Sequence, residues 1–308
     1  MTIVLIALAA YGLRDPSPIG YFRSAEAEDR FKAAYDEAMD ALPEPDRTLD
    51  VRTGYGVVRL YHFEGADPQA APLVLLPGRA SASPVWADNL PGLLEVRSVY
   101  TIDLLGEPGM SVQESPIETS EDHANWLHEV LAELPEEEFH LFGLSIGGWT
   151  AMNLAVHRPE MVASVSLLDP VMVFSDMSGQ AVLRSIPASV KWFPKSWRDG
   201  FNSWVANDAP VEDEPIADMI EAGMQSYVLK LGAPQRISES QLESTEIPVL
   251  AILAEDSRMH DANAAADVAR EALPDATVKV YSGASHAING EHPEEITADL
   301  KAFLDGLE

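Results

Sequence analysis

Short apolar runs alternate with stretches of helical periodicity along most of this 308-residue chain, and few architectures fit that rhythm. Strands are expected at 57–63 (VVRLYHF), 72–77 (PLVLLP), 98–103 (SVYTID), 139–144 (FHLFGL), 162–169 (VASVSLLD), 248–253 (PVLAIL) and 277–282 (TVKVYS). Helices are expected between them at 123–134, 146–157, 262–273 and 293–304. Several strand runs are apolar at consecutive positions, so both of their faces must be covered. Strand and helix in repeated order, with the strands buried on both sides, means a parallel sheet layered between crossover helices.

The rhythm breaks once. From 171 to 246 no run of matching character occurs; Trp192, Trp197 and Trp204 stand there among Phe174, Phe193, Phe201, Met172, Met177, Met219 and Met224. This segment reads as a helical insertion over the carboxyl edge of the sheet, with most of its aromatics forming its own core. Ahead of the first strand, 24–42 carries Phe31, Tyr35, Met39 and Leu42 at helical spacing. Ser24 is the N-cap, and Glu26 and Glu28 sit at the positive end of the helix dipole. Ala27 stands where a capping box would need Glu or Gln, and Pro43 and Pro45 end the helix. The expected organisation is an apolar segment and helix (1–50) packed on a core (51–170 and 247–308) that carries a helical cap (171–246).

Composition narrows the chemistry. With no cysteine, thiol nucleophiles, disulfides and thiolate metal sites are all excluded, and the eight histidines show no zinc-ligand spacing. Acids outnumber bases 50 to 20, a formal charge of −30, which disfavours phosphate backbones and anionic membrane surfaces as partners. A hydrophobic content of 46% argues against disorder despite that charge. Residues 3–10 are apolar but too few for a bilayer span, which takes about 20. No Lys or Arg precedes Arg14, as the n-region of a secretory signal would require. The cytoplasm is therefore the expected compartment, with export left open.

The sharpest motif is FGLSIGGW at 142–149, which contains G-x-S-x-G as Gly143-Leu144-Ser145-Ile146-Gly147 between an expected strand and an expected helix. A nucleophilic serine at a tight strand-to-helix turn projects its Oγ over the sheet edge, and bulky residues on either side would collide there. The helix amino terminus beyond it presents unpaired N–H groups to a developing oxyanion. In LLPGRASASPVW (75–86), a Gly-rich loop after another strand, the N–H of Arg79 can join that of Ile146 as the second oxyanion donor; the plain alternative is a turn. His286, in SGASHAINGEHPEEI (282–296) after the last strand, is placed in a Gly/Ser loop from which a base could reach Ser145. His260 and His292 read as structural or pocket residues.

Together, PGRAS, the turn DLLGEPGMS (103–111), GLSIGG and GASHAI resemble the α/β-hydrolase superfamily, in its order and spacing, from about Val51 onward. Pro77 departs from the histidine that many members carry before the glycine. The resemblance implies an α/β-hydrolase fold, a mostly parallel central sheet flanked by helices with a helical cap inserted after strand 6. It also implies a carboxylate to complete a triad. Most members place that acid after the strand corresponding to PVLAIL, in G-x-x-D. Here Ala254-Glu255-Asp256-Ser257 puts serine at that place and Asp256 one position early. Another branch takes the acid from the end of the preceding strand, where Asp169 stands in VSLLDP. Asp169 is preferred, Asp256 is the alternative, and Asp261 is a third candidate.

The expected reaction is hydrolysis of a carboxylic ester through an acyl-enzyme, on a small and apolar substrate, without cofactor or metal. A lactonase, amidase or C–C-bond hydrolase would use the same residues, and a slow-turnover small-molecule sensor would share the fold. A scaffold without activity is expected if neither Asp169 nor Asp256 reaches His286. Nucleic acid and membrane are not expected partners, and a homodimer is left open.

Overall fold

The computed structural model describes residues 16–188, 193–211 and 214–307; the apolar run at 3–10 and Trp192 lie outside the described residues. Strand β1 (Tyr21–Phe22) leads into α1 (Ala25–Met39), where the Ser24 side chain accepts from Ala27 N–H as the N-cap. A hairpin of β2 (Arg47–Thr53) and β3 (Gly56–Phe63) precedes β4 (Leu73–Leu76), one 3-10 turn (Ser83–Trp86) and the short α2 (Leu90–Leu94). Then come β5 (Val99–Ile102), β6 (Val112–Gln113), α3 (Ser120–Ala132), β7 (Phe139–Leu144), α4 (Ile146–His157) and β8 (Val162–Leu168). Helices α5 (Gly179–Ala188), α6 (Lys195–Val205) and α7 (Pro215–Ser226) follow, with β9 (Tyr227–Val228) and α8 (Glu239–Glu243) after them. The order finishes with β10 (Val249–Ala254), α9 (Ala262–Ala272), β11 (Ala276–Tyr281), α10 (Ile288–Glu291) and α11 (Pro293–Asp305).

The main sheet runs β11-β10-β8-β7-β4-β5-β3-β2, with β6 beside β3. From β11 to β5 every pairing is parallel; β3 pairs antiparallel with β5, β2 and β6. Alternate residues of the central strands feed two cores, one on each face. Val74, Leu76, Leu141, Val165, Ala251 and Leu253 meet Trp126, Leu127 and Met152 from α3 and α4. Leu73, Leu75, Phe142, Leu250 and Ile252 meet Trp86, Leu90, Ile296 and Leu300 on the other side. Burying each such side chain contributes about 1.5–3 kcal/mol, which is why these strands need no polar face.

Strand β2 was not among the strands expected from the sequence; Leu49 and Val51 alternate there with Thr48, Asp50 and Arg52, the pattern of a half-buried strand. It is an edge strand, where one half-buried face is enough. The segment expected to hold no strand of matching apolar character contains only the two-residue β9 among its described residues, and β9 pairs with β1 (Tyr21↔Val228, Phe22↔Tyr227). Phe22 stands edge-on to Tyr227 at 5.0 Å, and α1 packs along α7. Among the described residues no helix is long and apolar enough to cross a membrane.

Candidate active site

Ser145 joins β7 to α4 with φ 54° and ψ −116°, a conformation that L-residues rarely adopt. The flanking glycines make the turn sterically possible. A Cβ on Gly147 would run into the carbonyl oxygen of Leu76, and one on Gly143 into that of Gly147. Ser145 N–H donates to Leu168 O (3.0 Å), and Ser145 O accepts from Trp149 N–H (3.2 Å), so β8 and α4 both hold the turn. Strain of this kind persists only where the surroundings over-determine it.

His286 reaches the serine from the loop after β11. Its Nε2 lies 2.8 Å from Ser145 Oγ and its Nδ1 2.5 Å from Asp169 Oδ2, with all three side chains buried. An ionised carboxylate can only accept, so Nδ1 carries the proton and Nε2 offers its lone pair to the hydroxyl. The His286 loop, expected to be loose from its glycine and serines, is braced. Glu291 accepts from Ser285 N–H (2.7 Å) and Ser285 Oγ (2.6 Å), and Ala287 N–H donates to Ser285 Oγ (3.1 Å).

Asp169 follows β8 at φ 40°, its N–H donating to Ile252 O (2.8 Å). Its Oδ1 accepts from Ala254 N–H (3.1 Å) and its Oδ2 from Ser257 Oγ (2.6 Å). Complete burial would push this carboxyl up. The close approach of His260 and the bond to His286 outweigh that, and hold it well below the usual carboxylate range. Asp256 is exposed, its backbone N–H donating to Ala284 O, and it is Asp169 that bonds His286. Asp261 caps α9, accepting from Ala264 N–H (3.1 Å).

The two residues expected as oxyanion donors, Arg79 and Ile146, lie in the loop after β4 and directly after Ser145. Ile146 is the first residue of α4, whose opening N–H groups have no helical acceptor. The Arg79 loop passes close over the serine, a Cβ on Gly78 standing 3.7 Å from Ser145 Cβ. Glu107 holds this loop: its Oε2 accepts from Ala80 N–H (3.2 Å) and its Oε1 lies 3.2 Å from the Arg79 guanidinium. Burial raises the Glu107 carboxyl and Arg79 lowers it, with burial prevailing.

Beside the serine, Leu104, Leu105, Trp126, Ile146, Trp149 and Leu231 line a narrow apolar cleft with Arg79, Glu107 and His123. It encloses about 10 Å³, roughly the room of one water. His123 stands edge-on to Trp149 at 5.1 Å, and burial, aided by Arg79, pushes its imidazole down to about 4. It is therefore neutral near pH 7. Among the described residues no group of three or more His, Cys, Asp and Glu side chains could hold a metal ion.

Ser145, His286 and Asp169 meet at the carboxyl edge of a mostly parallel sheet, and the chain belongs to the alpha/beta hydrolase family, whose model matches residues 73–300. Two proteins of Bacillus subtilis (strain 168) are similar over nearly the full length. One is the uncharacterized carboxylesterase nap, 26% identical, covering 90% of this chain and 92% of its own. The other is the carboxylesterase YbfK, 26% identical, covering 92% and 97%. The crystal structure of naproxen esterase (carboxylesterase NP) from Bacillus subtilis superposes with a TM-score of 0.84 at 24% identity, over 92% of this chain and 99% of that one.

His260 is the residue that sequence reasoning left aside. Its Nε2 lies 3.0 Å from Asp169 Oδ1, and both side chains are buried. The only local signal was its position in DSRMHD, just past the end of β10.

Proposed function

We propose that this protein is a serine carboxylesterase acting on small apolar esters, with Ser145 as nucleophile, His286 as general base and Asp169 as the acid that orients it. The observation that carries this reading is the unbroken relay from Ser145 Oγ to His286 Nε2 (2.8 Å) and from His286 Nδ1 to Asp169 Oδ2 (2.5 Å). His286 takes the hydroxyl proton as Ser145 Oγ attacks the ester carbonyl. The Arg79 and Ile146 N–H groups receive the tetrahedral oxyanion, and His286 returns its proton to the leaving alcohol. A water deprotonated by the same imidazole then releases the acid from Ser145. The two carboxylesterase relatives in Bacillus subtilis support ester hydrolysis. Helices α5 to α7 are proposed as the cap, strapped by the β1–β9 pair and α1, and the cytoplasm as the compartment.

The test is reaction of the purified protein with a fluorophosphonate, locating the adduct by mass spectrometry, followed by a panel of esters, lactones and amides. One adduct on Ser145, absent from Ser145→Ala, together with turnover of the esters, is the expected result. A folded protein that stays unlabelled would overturn the reading.

A further inference from the structure

Four contacts converge on the Asp169 carboxylate. Oδ2 takes His286 Nδ1 (2.5 Å) and Ser257 Oγ (2.6 Å); Oδ1 takes Ala254 N–H (3.1 Å) and faces His260 Nε2 (3.0 Å). A relay of serine, one histidine and one acid accounts for one imidazole on that carboxylate. Here there are two, and both lie out of water. We propose that His260 is a positioning residue of the Ser145 relay, a second imidazole whose protonation competes with that of His286 for the single negative charge of Asp169. The inference rests on the reading of Ser145, His286 and Asp169 as the catalytic relay.

The argument is one of charge balance in a buried site. With His260 neutral, one of its ring N–H groups can steady Oδ1 while Oδ2 remains ionised for His286. When His286 takes the serine proton, its new positive charge meets a full carboxylate charge. With His260 protonated, the single charge of Asp169 is shared, and a second buried cation at His286 gains less from it. Proton uptake by His260 therefore weakens His286 as a base, although the two histidines need not touch. Two sites coupled through one carboxylate titrate as a pair, so the acid limb of activity belongs to both.

The groups facing His260 favour its charged form. Asp169 faces it from the end of β8 and Asp261 follows it at the start of α9. Burial opposes its charged form, but those two aspartates outweigh burial and raise its pKa. The nearby Arg258 is turned away onto Asp208 (2.7 Å). His286 is the imidazole across the carboxylate.

Ser257 fits the same arrangement. It stands where the resemblance expected the acid, and instead donates to the acid that comes from β8. With the acid on β8, the β10 loop is left to supply the donor Ser257 and the histidine His260. This pairing is a property of this chain's own residues.

The rate of Ser145 phosphonylation by a fluorophosphonate, followed against pH, tests the proposal without knowledge of the natural substrate. In wild type the acid limb should follow the first proton taken up by the pair. In His260→Gln, which keeps a neutral donor and removes the titration, the limb should move to lower pH by about one unit or more. His260→Phe, lacking the donor, should be slower at every pH. A limb that stays in place in a folded His260→Gln overturns the proposal, as does one that moves upward. If that variant does not fold, nitrogen-15 NMR of the wild-type histidines gives the same decision. A buried histidine other than His286 must gain its proton across the limb, and its remaining neutral to lower pH overturns the proposal. Failure of wild-type Ser145 to label at any pH would instead sink the hydrolase reading itself, so the two failures are distinct.

Discussion

Two buried aspartates end strands placed symmetrically about the centre of the sheet, and they behave in opposite ways. In the order β8-β7-β4-β5, Asp169 follows β8 and Asp103 follows β5, on either side of the pair whose loops carry Ser145 and Arg79. Both are fully buried. Asp103 accepts only from neutral donors: Ser83 N–H (2.9 Å), Ser83 Oγ (2.7 Å), Met110 N–H (2.8 Å) and the Tyr35 hydroxyl (2.9 Å). Its carboxyl is raised by burial, with those four bonds only partly opposing. Asp169 faces two imidazoles and is lowered. Burial alone thus decides nothing; the partners do. Neutral donors turn Asp103 into a knot tying the 3-10 turn, the 103–111 turn and α1 together, whereas imidazoles leave Asp169 a charge that His286 can use.

Substitutions can break that contrast. The largest effect is expected for Asp169→Asn, where the amide can no longer hold His286 in its required tautomer. Ester turnover and Ser145 labelling should fall about 10³–10⁴-fold while unfolding stays cooperative. Asp103→Asn should instead lose stability, about 1–3 kcal/mol, since an amide nitrogen would face donors on every side. That loss would appear as a lower denaturant midpoint at unchanged slope, with activity per folded molecule close to wild type. Tyr35→Phe removes one of the four donors and should lower stability by about 1 kcal/mol.

The finest test is the drift of these gaps with pH. Asp169 is lowered in the fold, so its stabilisation is present above the ordinary carboxyl value and is lost as pH falls below about 4. Asp103 is raised, so its contribution is greatest in acid and declines as pH rises past that value. The midpoint gap between wild type and Asp169→Asn should therefore close toward acid, and the gap for Asp103→Asn should close toward neutrality. Parallel gaps would remove the distinction.

The parallel strands were legible because each is an apolar run punctuated by Gly, Pro or Asp, and the Ser145 turn because only glycine fits at 143 and 147. Strand β2 was hidden by Arg47, Asp50 and Arg52, the ordinary dress of an edge. The choice between Asp169 and Asp256 was narrowed but not made, since both follow strands and one residue separates Asp256 from the expected place. What separates them spatially is the reach of the His286 loop, 117 residues from Asp169 in sequence. His260 was missed for the same reason: proximity to Asp169 comes from β10 lying beside β8, which no local pattern records.

The β1–β9 pair also has a consequence during synthesis. Phe22 and the face of α1 that packs along α7 are made some 200 residues ahead of β9 and α7. At roughly 5–20 residues per second on the ribosome, that face waits about 10–40 s for its cover. So long a separation between partners also slows the final docking, because loop closure must precede the contacts that reward it. The arm is therefore translated well before its partner strand and is among the last segments placed. Its aromatic face is the surface that a nascent-chain chaperone would meet.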